Sequence, residues 1–135
     1  MVDDLEVVVE AGSLRSGDAG AVAFPHRWTA DGVSVDATFT GAHLLHLAVA
    51  GCVLNDLYRE AGRLAIELGG VRVRATGGFD PDDGWASTGI RYTVELDTPA
   101  DPDRLAHLLE TVDTVAEIPR ALRAGADVRR VEGPS

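Results

Sequence analysis

The chain has 135 residues, 45% hydrophobic and 25% charged, with 22 Asp and Glu against 12 Lys and Arg, a net charge of −10. That length suits one domain with a real core and is short for two, so residues 1–135 are expected to form a single domain. The acidic balance argues against nucleic acid, whose phosphates need clustered Lys and Arg, and against an anionic membrane surface.

The first residues, "MVDDLEVVVE", have no basic segment followed by an apolar one, so no secretory leader is expected. Residues 5–10, "LEVVVE", read as a strand of β-branched valines. The glycine- and serine-bearing "AGSLRSGDAG" reads as a loop that turns the chain. "AVAFPHRW" and "VSVDATF" predict two strands joined by "TADG", with Pro25 at an edge or a bulge because it cannot donate to a ladder.

Residues 41–61 are the longest helical candidate, with Thr40 as N-cap and Gly62 as the residue after the C-cap. The first half is apolar on nearly every face, the mark of a helix covered all round. The second half keeps a stripe of Leu54, Leu57, Tyr58 and Ala61, while Asn55, Asp56, Arg59 and Glu60 face elsewhere. The apolar run 41–54 is too short to span a bilayer.

"VRVRAT" (71–76) and "IRYTVEL" (90–96) alternate at period two, and "GGFDPDDGW" between them predicts a hairpin loop. Asp101 and Pro102 open a second helix striped by Leu105, Leu108, Leu109 and Val112. Thr114 and Glu117 have capping-box spacing, and Pro119 suits the first turn of a short helix ending near Gly125. "ADVRRVE" reads as a closing strand and "VEGPS" as a frayed tail. The sum is an α+β pattern.

Cys52 is the only cysteine, so an internal disulfide is excluded and a reducing, cytoplasmic location is expected. A thiol with an ordinary pKa of about 8.5 is only slightly ionised at neutral pH, and a reactive one needs a positive neighbour. Cys52 lies about three turns inside the helix, beyond the field of its N-terminus. On a helix it shares a face with Leu45, Ala48, Val49, Asn55 and Asp56, and Asp56 opposes ionisation. Arg59 would have to fold back. Arg15, in the glycine loop, and Arg27, in "PHRW", are the better candidates for the cation. The alternative is that Cys52 is simply packing, as most single helical cysteines are.

His43 and His46 have metal-binding spacing but fall short of the three or four ligands a site needs, and no metal or other cofactor is expected. Asp80, Asp82 and Asp83 lack the length and closing Glu of a calcium loop and read as a solvated hairpin tip.

The segment "GAHLLHLAVAGCVLNDLYREAGRLAIELGGVRVRATGGFD", followed by "IRYTVEL", "LAHLLETV" and "IPRALRAGADV" in that order, resembles the OsmC and organic-hydroperoxide-resistance family. The resemblance implies an OsmC-like α+β fold in which two chains intertwine as a homodimer. Sheets pack there around the long cysteine-bearing helices. It implies that Cys52 is the peroxidatic nucleophile, with an organic hydroperoxide as substrate and an external thiol as reductant. The chain also departs from the family pattern. Ala42 stands where the family has a Glu, Ala116 and Glu117 stand where the resolving cysteine belongs, and Arg15 is the nearest match to the family Arg. A one-cysteine hydroperoxide reductase is therefore expected. The alternative is a non-catalytic dimer of the same fold that binds a small apolar ligand or serves as a scaffold.

Overall fold

The computed structural model describes residues 4–133. Five antiparallel strands form one sheet in the order β2-β3-β1-β4-β5, comprising β1 (Leu5–Gly12), β2 (Val22–Phe24), β3 (Val33–Asp36), β4 (Gly70–Asp80) and β5 (Ala86–Asp97). Three helices accompany it: α1 (Gly41–Arg63), α2 (Pro102–Val115) and α3 (Glu117–Ala124).

Period-two alternation sorts the sheet into two unlike faces. Val7, Val9 and Ala11 of β1 pair across the ladder with Ala75, Val73 and Val71 of β4, and all six are buried against α1. The opposite face carries Glu6, Glu10, Arg72, Arg74 and Glu95, joined as Arg72–Glu10 (2.6 Å), Arg74–Glu6 (2.7 Å) and an Arg72–Glu95 pair. Such cross-strand pairs of opposite charge add modestly to a ladder.

α1 begins where Thr40 caps it, accepting from the His43 N–H at 3.0 Å. Its Ala50, Val53, Leu54, Leu57 and Ala61 are buried, the core stripe that the 3.6-residue period places on one side. Burying Leu57 alone is worth about 2 kcal/mol. α2 lies alongside, with Leu108 and Val112 buried and Asp101 capping through the Arg104 N–H at 3.0 Å. Tyr92 of β5 donates to Asp113 and ties the sheet edge to α2.

Several expectations need correction. The helix passes through Gly62 to Arg63, is capped at Leu64, and Ala65 takes the left-handed conformation (φ 55°). Apolar contact of Ile66 with the core holds the chain there, so the glycine is not needed for the turn. The second strand stops at Phe24 because Pro25 has no N–H to continue the ladder. "ADVRRVE" forms no strand: residues 126–132 carry no regular structure and are exposed, since no sheet edge receives them. Of the expected frayed tail, residues 131–133 are likewise irregular, and 134–135 lie outside the described residues, as do 1–3 of the N-terminal reading. Thr114 caps nothing; its hydroxyl donates to the Glu110 carbonyl, and Ala116 occupies the N-cap of α3.

α1 is also not covered on every side by its own chain. Leu44 is 37% exposed, Ala48 is exposed, and Leu47 and Cys52 are half-buried. Phe24 (49% exposed) and Trp28 (38%) lie beside this open stripe.

Candidate functional site around Cys52

Cys52 opens onto a recess of about 430 Å³ whose walls include Trp28, Ala48, Asn55, Asp56, Arg59, Glu117 and Ile118. The α2–α3 junction forms one side. It sets the backbone N–H groups of Ile118 and Glu117 on the sulfur's side, where they act to lower the pKa of the thiol. Against them stand burial, the largest influence, and the charges of Asp56 and Glu117. The balance pushes the Cys52 thiol up from its ordinary value.

Two carboxylates in the polar half of α1 do not face water. Asp56 and Glu60 are each 3% exposed, and Asp56 shares its recess with Glu117 and Ile118 of α3. Arg59 folds back along its own helix and gathers three carboxylates: Asp56 at 3.2 Å, Glu60 at 3.3 Å and Glu117 at 3.3 Å. Arg63 adds a contact to Glu60 at 2.8 Å. Asp56 Oδ2 is buried with no partner among the described residues. Burial first, then Glu117 and Glu60, raise the pKa of the Asp56 carboxyl, and only Arg59 opposes them.

A second cleft of about 280 Å³ adjoins the recess and shares Trp28, Leu47, Gly51 and Asn55 with it. It is mainly apolar, bounded by Phe24, Pro25, Val33, Val35 and Leu54. Its loop wall is held by His26, whose Nε2 lies 2.9 Å from Asn55 Oδ1.

The expected cations are placed as follows. Arg27 stacks over Trp28, its guanidinium carbon 5.7 Å from the ring centroid, and lines the apolar cleft. Arg15 sits in the turn after β1, closed by its N–H to the Gly12 carbonyl at 3.0 Å. Neither lines the recess around Cys52 within one chain. Arg59 does. His43 Nδ1 pairs with Thr40 Oγ1 at 2.6 Å and His46 Nδ1 with the Ala42 carbonyl at 2.8 Å. His46 is fully buried, not half-buried as a helix-start histidine would be. Among the described residues no group of three or more His, Cys, Asp or Glu is arranged to hold a metal. Among the described residues no helix is long and apolar enough to cross a membrane.

The sequence pattern singled out Cys52 and noted Asn55 and Asp56 on its face. It carried no signal for His26, because nothing local links residue 26 to residue 55.

Comparison with solved structures gives likenesses over most of the chain. One is an OsmC-like hydroperoxide resistance protein from Jannaschia sp. CCS1, with TM-score 0.59 and 12% identity, covering 94% of this chain and 91% of that one. Another is an OsmC-like protein from Mycoplasma pneumoniae, with TM-score 0.59 and 14% identity, covering 91% and 87%. No curated protein matches the sequence. A family model described as OsmC-like protein matches residues 34–130, most of the chain including α1 and Cys52. The chain belongs to the OsmC-like protein family.

Proposed function

We propose that this protein is a one-cysteine, thiol-dependent organic hydroperoxide reductase that works as a homodimer, with Cys52 as the nucleophile. The observation that carries the reading is the half-buried sulfur of Cys52, which opens onto a recess that adjoins an apolar cleft beside the start of α3. The Jannaschia protein's description as a hydroperoxide resistance protein supports the substrate class.

The sulfur attacks the near oxygen of the O–O bond. That bond breaks, the thiol proton passes to the departing oxygen, and the products are a cysteine sulfenic acid and an alcohol. With Cys52 the only cysteine, an external thiol must condense with the sulfenic acid, releasing water, and a second thiol then frees Cys52 as a disulfide leaves. The apolar part of the substrate lies along Leu47, Leu54 and Trp28. The partner chain covers the open stripe of α1 at Leu44 and Ala48, and Arg15 or Arg27 of either chain is the cation proposed to attend the thiolate.

A second reading, a non-catalytic dimer that holds a small apolar molecule in the same cleft, is favoured by one observation. Burial and two carboxylates hold the thiol in its protonated form. Consumption of an organic hydroperoxide in the presence of a dithiol separates the two. The expected result is turnover by the wild type that Cys52→Ser abolishes. Equal rates for both proteins would overturn the reductase reading in favour of the binding one.

A further inference from the structure

Asp56 is a buried carboxylate with an unused oxygen, set one turn beyond Cys52 and lining the same recess. Its Oδ1 is held by Arg59 at 3.2 Å, while Oδ2 has no partner among the described residues. A buried carboxylate oxygen left unpaired is costly, and protonation removes that cost. The groups facing Asp56 are Cys52, Arg59 and Glu60 from α1 and Glu117 from α3; the loop wall contributes the uncharged Trp28.

Resting on the reductase reading above, we infer that Asp56 is the proton carrier of the reaction, taking the Cys52 thiol proton and delivering it to the departing alkoxide. The transfer balances. The sulfur loses its proton to the Asp56 carboxylate and forms the S–O bond; the O–O pair leaves on the distal oxygen; the Asp56 carboxyl then protonates that oxygen, giving the alcohol and regenerating the carboxylate. Arg59 anchors the carboxyl by one oxygen and leaves the other to act. Burial, chiefly, raises the affinity of Asp56 for a proton above that of an ordinary carboxylate, which favours its taking one from the thiol.

The test compares two oxidants that differ in how much the leaving group needs a proton. tert-Butyl hydroperoxide expels a strongly basic alkoxide, whereas peroxyacetic acid expels acetate, which leaves unaided. In Asp56→Asn the ratio of the alkyl-hydroperoxide rate to the peroxyacid rate is expected to fall by roughly a hundredfold. A merely structural role would slow both oxidants together, and a ratio within about twofold of wild type overturns the inference. If Asp56→Asn does not fold, the wild type gives the same information. In D2O the tert-butyl hydroperoxide rate should slow more than the peroxyacetic acid rate, because only the first leaving group takes the proton in flight, and equal slowing for the two overturns the inference. A wild type that reduces neither oxidant ends the reductase reading and this inference with it. A wild type that reduces both, with a ratio indifferent to Asp56, ends the inference alone.

Discussion

His26 Nε2 lies 2.9 Å from Asn55 Oδ1, which ties the loop after β2 to α1 one turn past Cys52. The other ring nitrogen is 2.7 Å from Thr29 Oγ1, and Trp28 and Tyr58 flank the ring with centroids at 5.5 Å each. The wall shared by the recess and the apolar cleft therefore hangs on one imidazole. His26→Ala should destabilise the protein by about 1–3 kcal/mol in urea titration. In a Trp85→Phe background, Trp28 should become more open to acrylamide quenching. Unchanged quenching would show that something else holds the wall.

Alkaline pH should weaken the fold through Cys52. Burial raises the Cys52 thiol above its ordinary value and likewise raises Tyr58. A group whose pKa is higher folded than unfolded contributes stability that is complete below the unfolded value and lost as pH climbs through the folded one. The urea midpoint should accordingly drop above about pH 9, and less steeply in Cys52→Ala. The same shift makes Cys52 slow towards iodoacetamide near neutral pH. An alkylation profile with its midpoint below about pH 8 would contradict it.

Gly77 admits no side chain. A Cβ there would lie 2.3 Å from the Gly89 carbonyl oxygen on β5 and 2.5 Å from His46 Nε2. The first contact is with backbone, so β4 and β5 would have to part. Gly77→Ala should cost about 2–3 kcal/mol by urea denaturation, and adding His46→Ala should not restore stability because the carbonyl contact remains.

The open stripe on α1 predicts an association equilibrium. If a second copy covers Leu44 and Ala48, sedimentation should give a dimer, and Leu44→Glu should yield a folded monomer, because Leu44 is only partly buried in its own chain. A wild type that sediments as a monomer would remove the homodimer from the proposed function.

The regular elements were largely legible in the sequence because they rest on local chemistry. The alternation in "IRYTVEL" placed a strand, now Ala86–Asp97, and Thr40 and Asp101 marked two helix starts through hydrogen bonds to residues three positions on. The misreadings share a cause. "ADVRRVE" has strand propensity but no edge to join, and propensity in a strand expresses itself only against a neighbour. Gly62 and the Thr114–Glu117 spacing looked like caps, yet packing at Ile66 and the bend at Ala116 set the ends.

The sequence by itself determined the α+β pattern, the family resemblance and Cys52 as the residue to watch, since each depends on residue type and short spacing. Only the tertiary structure decided what surrounds the sulfur. Asp56 and Glu60 are polar residues on a helix, and nothing nearby says they are buried; the packing of the folded chain around them does. His26 meets Asn55 across 29 residues and Arg59 meets Glu117 across 58. A thiol's protonation answers to the charges, dipoles and water around it in space, and those are assembled by chain segments far apart in sequence.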